Sequence, residues 1–351
     1  WILIGSSFGL VGMGALSIYS SSIARNDFSS FEKQLIFFVV GFLAMFLVSL
    51  FDYRLLRNDP YLILFLYVVG LVALAGLLLF APEIRGTKAW YRIGDISVDP
   101  IEYVKIILVV LLAKYFALRH IEVYRIRHIF FTGIYFLIPI VLIALQPNLG
   151  PVLILCILWI VLLLVAGIRF RHLFGILALG VLIFALGWSF FLLEHQKSRI
   201  VSFLEPELDP LGIGWSQLQS QIAIGNGGIF GQGFAHGTQT QYGFLSEPQN
   251  DFIFAAIAEE FGLFGICLVF LLLAVLLWRI IKIGIDARDN FSRLYAAGLA
   301  TLLIGHTFIN VGMNLGLLPI IGLSIPFVSY GGSSLIVTYI GLGIVQSIKR
   351  H

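Results

Sequence analysis

The sequence predicts an all-α polytopic membrane protein, with about ten transmembrane helices and one long ordered extracytoplasmic loop between the seventh and the eighth. Three observations predict it. Of 351 residues, 59% are hydrophobic and only 12% charged, with a mean hydropathy of +0.99. A soluble domain carries roughly 25% charged residues, so these charges are too few to coat a water-facing surface. Apolar runs of about 20 residues recur along the chain, the length a helix needs to cross hydrocarbon with every backbone amide satisfied internally. Between the runs lie short breaks with turn chemistry, such as Asn58-Asp59-Pro60, Gln146-Pro147-Asn148 and Gly331-Gly332.

The runs fall at 1–21, 33–51, 61–80, 101–118, 129–145, 149–167, 173–193, 251–281, 291–316 and 332–348. The first is no cleaved signal peptide, since many like it follow. The chain opens at Trp1, which leaves room for a short preceding segment. Ten spans place both termini on one side. Of the 22 Lys and Arg residues, 14 fall on that side and 8 on the other, so the positive-inside rule makes the termini cytoplasmic. The net charge of +3 is scattered rather than gathered into a stripe, which argues against nucleic acid. Cys156 and Cys267 lie in apolar runs at no metal-binding spacing and read as small buried hydrophobes. No separate soluble domain is visible, so residues 1–351 read as one transmembrane domain whose long loop covers about 194–250. Loops of that length are uncommon unless functional or disordered, and this one reads as ordered. An apolar stretch at Leu218–Ile224 suggests a short amphipathic helix at the membrane surface.

Ionisable residues within or beside apolar spans mark candidate sites, because burying them in lipid is costly. The eighth span begins at Asp251 and carries Glu259 and Glu260, and its acidic end should project toward the outer headgroups. A continuous helix would put Ala255, Ala258, Gly262 and Gly265 on Asp251's face, either for close helix packing or to leave room for a ligand. The fourth span starts at Pro100, a favoured first helical position, with Glu102 and Lys105 three apart on one face. Arg85, Lys88, Arg92 and Lys105 crowd around one outside loop against the topological bias, as an anion site would require. His306, Asn310 and Asn314 step down the ninth span at intervals of four, a pattern for interhelical hydrogen bonds. In the long loop stand Lys197, Arg199, His236 and Gln239. No P-loop, HExxH or nucleophile elbow is present.

Four blocks resemble the SEDS family of membrane glycosyltransferases. Ser246-Glu247-Pro248-Gln249-Asn250-Asp251-Phe252-Ile253-Phe254-Ala255, continuing Ala258-Glu259-Glu260-Phe261-Gly262, matches the family's Thr-Asp-Phe-Ile-Phe and Glu-Glu-x-Gly, with Asn250 for threonine. Ile325-Pro326-Phe327-Val328-Ser329-Tyr330-Gly331-Gly332-Ser333-Ser334 is close to letter-perfect. Lys88-Ala89-Trp90 precedes Pro100-x-Glu102-x-x-Lys105, where Asp99 and Ile101 depart from the usual Gln-Pro-Ser-Glu. Gln146-Pro147-Asn148-Leu149-Gly150 resembles Gln-Pro-Asp-Leu-Gly. Asp209-Pro210-Leu211-Gly212, His236-Gly237-Thr238-Gln239 and Gly316–Gly322 resemble the RodA branch rather than FtsW.

The resemblance implies a peptidoglycan glycosyltransferase for cell elongation and shape. It would polymerise lipid II, release polyprenyl pyrophosphate, and work with a class B penicillin-binding protein that crosslinks the product. It also implies that the aspartate at Asp251 is essential and that a divalent cation, Mg²⁺ or Mn²⁺, supports activity. A sugar hydroxyl that displaces lipid diphosphate needs a proton acceptor and positive charge at the leaving group. Asp251 is the candidate base. The candidate substrate contacts are Lys88, Trp90, Arg92, Glu102, Lys105, Lys197, Arg199, His236, Gln239, Glu260 and Ser329, and Asp251 and Glu102 are candidate metal ligands. The rival from another class is a flippase for the lipid-linked precursor. Polar groups concentrated at the outer rim, rather than at mid-membrane, argue against it. A non-catalytic scaffold is a third reading, against which Asp251 speaks.

Overall fold

The computed structural model describes residues 1–83, 86–94, 96–119, 126–190, 192–205 and 212–351. Arg85, and Asp209 to Leu211 of the RodA-like segment, lie outside the described residues. Ten described helices have 17 residues or more, one for each expected span: α1 (Ile2–Arg25), α2 (Ser29–Leu50), α4 (Pro60–Phe80), α5 (Pro100–Leu118), α6 (Ile126–Ala144), α7 (Leu149–Val165), α8 (Phe170–Phe190), α12 (Ile253–Asp286), α13 (Asn290–Asn314) and α14 (Gly332–Arg350). Seven of these are long and apolar enough to cross a membrane, and α7 is a shorter apolar helix. The remaining helices are short: α3 (Arg54–Asn58), α9 (Glu194–Leu204), α10 (Ile213–Gly227) and α11 (Thr238–Gln241).

Local chemistry sets several helix starts. Asp59 caps α4 by accepting from the amides of Tyr61 and Leu62, with Pro60 in the first turn. Asp99 does the same for α5, accepting from the Ile101 amide at 2.8 Å ahead of Pro100. No residue of α8 is buried, and its Phe, Leu and Val side chains face outward, a surface suited to lipid.

The single-domain expectation meets two compact units, each assembled from discontinuous stretches. The first comprises Trp1–Ala44, Ser198–Arg279 and Leu303–Tyr339. In it Gly14 of α1 lets the 325–330 loop lie directly on the helix, since a Cβ there would stand 2.1 Å from the Val328 carbonyl oxygen. The second comprises Met45–Lys197, Ile280–Leu302 and Ile340–His351. There α4, α5, α6 and α7 pack together, and Asp289 takes hydrogen bonds from the Tyr53 hydroxyl and from Ser292.

Two features depart from the sequence expectation. A short antiparallel hairpin, β1 (Tyr91–Ile93) and β2 (Ile96–Val98), pairs Tyr91 with Val98 and Arg92 with Ser97 within the otherwise helical protein. Among its described residues the long loop holds three helices, α9, α10 and α11; the apolar Leu218–Ile224 stretch is part of α10.

Candidate active site

The turn before α12 is held from several directions. The helix starts at Ile253, so Asp251 stands in a turn rather than on the helix. The amides of Asn250 and Phe252 both donate to the Glu247 carbonyl, at 3.1 and 3.2 Å. Three successive carbonyls of the turn then accept from elsewhere in the first unit. Gln249 O accepts from the Tyr330 amide at 2.8 Å. Asn250 O accepts from Ser329 Oγ at 2.9 Å. Asp251 O accepts from Asn310 Nδ2 and Asn314 Nδ2, at 3.0 and 2.9 Å. Beneath the turn, Phe252, Ala255 and Ala256 pack against Ala223 of α10 and Leu245. With the backbone this committed, the half-buried Asp251 side chain is placed by a rigid frame.

The carboxylate lies beside the 321–322 segment, where a Cβ on Gly322 would stand 3.5 Å from Asp251 Oδ2. Gly322 has φ +75°, a conformation that favours glycine. The neighbouring Ile321 carbonyl accepts from Arg199 Nη1 at 3.5 Å. Burial lowers the Arg199 guanidinium pKa from its usual range, and the Asp251 carboxylate opposes that shift. A carboxylate and a half-buried guanidinium therefore share one surrounding.

Several expected contacts have internal tasks instead. Ser329 is buried; its Oγ donates to Asn250 O of the turn and accepts from the Ile325 amide of its own loop, so it ties the two segments together. Glu259 and Glu260 are buried, at 0% and 1% exposure. Glu259 takes up the start of α11: Oε1 accepts from the Gln239 amide at 2.6 Å, and Oε2 from the Thr240 amide and hydroxyl at 3.0 and 2.8 Å. Glu260 Oε1 accepts from Ser20 Oγ and from Gln241 Nε2. Lys197 pairs with Glu194 at 3.3 Å across an exposed surface, an arrangement of little energetic consequence. His236 is exposed, with Nδ1 2.7 Å from the Phe234 carbonyl. The wheel through Ala255, Ala258, Gly262 and Gly265 is not continuous either, because α12 breaks at Gly262. Close packing is seen at part of this stripe: a Cβ on Gly227 would stand 1.9 Å from Ala258 O, and one on Gly262 2.4 Å from the Gly231 amide nitrogen.

A second polar cluster lies in the other unit. Lys105 is 2% exposed, and its Nζ is 2.7 Å from Glu102 Oε1. Burial, then the charge of Glu102, pushes the Asp99 carboxyl up to about 7, while the Ile101 amide and Lys105 act in the opposite sense. Lys88 and Trp90 are half-buried and Arg92 is exposed on β1; the Lys88 amide donates to the Gln146 carbonyl at 3.4 Å. Among the described residues, no three His, Cys, Asp or Glu side chains group so as to hold a metal ion.

Comparison with known proteins places this frame. The model of the FtsW/RodA/SpoVE family, described as a cell cycle protein, matches residues 1–351. The chain belongs to the FtsW/RodA/SpoVE family. Among its relatives, the peptidoglycan glycosyltransferase MrdB of Escherichia coli is 34% identical over 342 residues, which is 96% of this chain and 91% of that protein. Stage V sporulation protein E of Bacillus subtilis is 33% identical over 355 residues, 97% of this chain and 94% of the other. A solved chain of a peptidoglycan synthase complex, described as coordinating polymerization and crosslinking, superposes with a TM-score of 0.82 at 31% identity, covering 99% of this chain and 97% of that one. The rod shape determining protein RodA of Thermus thermophilus superposes with a TM-score of 0.71 at 27% identity, covering 99% and 96%. The SEDS resemblance and the all-α polytopic membrane fold are thus borne out for this member of the family.

The Asp251 turn was legible in the motif. Its supports were not: the expected bond between helices is present, with Asn314 Oδ1 accepting from Ser220 Oγ of α10 at 3.1 Å, but Asn310 and Asn314 also both donate to the Asp251 carbonyl in a turn. The four-residue spacing of polar side chains on α13 was the signal, and it does not name the partner.

Proposed function

We propose that this member of the family is a peptidoglycan glycosyltransferase that polymerises lipid II into glycan strands, with Asp251 as general base. The observation that carries the proposal is the carboxylate of Asp251, held on a turn whose three successive carbonyls are all bonded, beside the half-buried Arg199. The relatives named as peptidoglycan glycosyltransferases support the reaction class. The acceptor sugar's hydroxyl gives its proton to Asp251 as its oxygen bonds to the anomeric carbon of the donor. The bond from that carbon to the diphosphate oxygen breaks, and polyprenyl pyrophosphate leaves with the electron pair. Partial burial at Arg199 strengthens its attraction for an anion relative to water.

Lys105, Glu102, Lys88, Trp90 and Arg92 remain candidates for holding anionic or sugar groups of the substrate. A Mg²⁺ or Mn²⁺ ion would supply further positive charge to the departing diphosphate. In this reading Asp251 or Glu102 would give such an ion one carboxylate and the substrate's own oxygens the rest, because Mg²⁺ commonly binds through one or two carboxylates plus phosphate. The partner we propose is a class B penicillin-binding transpeptidase, in keeping with the complex to which the chain is similar. The 14-to-8 division of basic residues supports cytoplasmic termini in a bacterial plasma membrane.

Purified protein in detergent, given labelled lipid II and a divalent ion, should lengthen glycan without any second compartment. Labelled substrate left unpolymerised by folded protein, with transport across vesicles intact, would replace this reading with the flippase.

A further inference from the structure

From Gly212 to Ser246 the chain has no Asp, Glu, Lys or Arg, an unusual composition for a connection lying in water. Within that stretch α10 runs into the segment 228–233, which lies along α12. There α12 is broken: Gly262 has φ 62° and ψ −160° inside a helix otherwise continuous from Ile253 to Asp286. A break deprives neighbouring amides and carbonyls of their helical partners, and in hydrocarbon those groups must be satisfied by protein. Segment 228–233 does so in both directions. The Leu263 and Phe264 amides donate to the carbonyls of Gly228 and Ile229, at 3.0 and 3.2 Å. The amides of Gln232 and Gly233 donate to the carbonyls of Glu259 and Glu260, at 2.9 and 3.0 Å. The approach admits only glycine at its closest points. A Cβ on Gly231 would stand 2.1 Å from Glu260 O, and one on Gly262 2.4 Å from the Gly231 amide nitrogen.

The segment therefore sits at the depth of residues 259–264. From Gly262 to Arg279, the next charged residue along α12, the helix covers about 17 residues, or about 25 Å at 1.5 Å each. That distance fits inside a hydrocarbon core of about 30 Å, so the break falls within the core when Arg279 marks its other boundary. The turn also points apolar bulk outward: Ile229 is 65% exposed and Phe230 85%, beside Leu263 at 52% and Phe264 at 70%. In water these four would form a liability; against acyl chains they are solvated.

We propose that residues 213–237 form a re-entrant element that enters the bilayer, with Ile229 and Phe230 at its tip in contact with lipid acyl chains. The element does not rest on the membrane surface as an amphipathic helix would. Its partner is the hydrocarbon itself, and through its bonds to α12 it fixes how deep the Glu259–Glu260 turn lies.

The test is a nitroxide label on Phe230→Cys, and separately on Ile229→Cys, in the full chain with Cys156 and Cys267 replaced by serine, reconstituted in vesicles. Collision rates with oxygen, which concentrates in lipid, and with a water-soluble nickel chelate report depth. A label on Glu83→Cys in the same background, exposed and outside the helices, gives the water reference, and a label on Cys267 in a chain with only Cys156 replaced gives the lipid reference. The expected result is an oxygen-to-nickel ratio at both positions severalfold above the Glu83→Cys value and close to the Cys267 value. A ratio matching Glu83→Cys at either position overturns the proposal. A label shielded from both agents overturns it too, since protein rather than lipid would then cover the tip.

Discussion

Asp251 owes its place to residues far away in sequence. Asn310 and Asn314 lie 59 and 63 residues further along and meet at its carbonyl. Replacing both by alanine removes two hydrogen bonds, each worth about 1 kcal/mol, from the turn, along with Asn310's bond to the Leu323 carbonyl and the bond Asn314 accepts from Ser220, and leaves the carboxylate itself intact. Turnover should fall roughly 10²-fold through misplacement, with substrate binding less affected and the protein still folded; unchanged kcat in the double variant would deny the frame its role. Asp99 makes a second prediction at this scale. Its carboxyl titrates at about 7 in the folded protein, above the ordinary aspartate value of about 3.9, so the folded state holds that proton more tightly than the unfolded chain. Its contribution thus favours the fold most at low pH, is lost as pH climbs from about 4 to about 7, and stays constant above. Asp99→Asn keeps a capping side chain and removes the titration. Melting temperatures in detergent at pH 5 and pH 8 should differ less for Asp99→Asn than for the parent; equal pH dependence in the two would contradict the assignment.

At the scale of elements, the break in α12 is the feature that the surrounding packing cannot forgive. Gly262 has a positive φ and backbone atoms within 2.4 and 2.5 Å of where a Cβ would sit, so Gly262→Ala must move either the helix or the 228–233 segment. Gly180, on the uncovered α8, meets nothing within 4 Å. Thermal unfolding in detergent should show Gly262→Ala markedly destabilised or poorly recovered. Gly180→Ala should be unchanged or slightly stabilised, because alanine favours a helix by about 1 kcal/mol. Equal tolerance at both positions would mean that the ladder between 228–233 and α12 is not a constraint. The spans themselves were legible, because apolar runs of this length have few other uses. The break was not, since Gly262 hides within one such run and its partner segment lies some thirty residues earlier. The hairpin at Tyr91–Ile93 and Ile96–Val98 also went unread, although Ile93-Gly94-Asp95-Ile96 carries a short turn signal between apolar residues. The partners of Glu259 and Glu260 were not legible either, because a carboxylate in an apolar run looks the same whether it meets solvent or caps another backbone.

For the whole molecule, membership of the FtsW/RodA/SpoVE family rests on a match along the full length, and the motif blocks were enough to find it. What no motif conveyed is that each compact unit draws on separated stretches, so that Ser329, Asn310 and Asp251 share one unit while Glu102 and Lys105 belong to the other. That separation follows from how helices from distant parts of the chain pack, which local sequence does not encode. The function proposed for the whole depends on one proton acceptor. The most direct measurement is the single-turnover rate of glycan formation from labelled lipid II by purified Asp251→Asn protein, compared with the parent at equal folded concentration. The expected result is a rate lower by about 10²- to 10⁴-fold, the range for loss of a general base, with the melting temperature retained. A folded Asp251→Asn protein that polymerises at the parental rate would contradict the account.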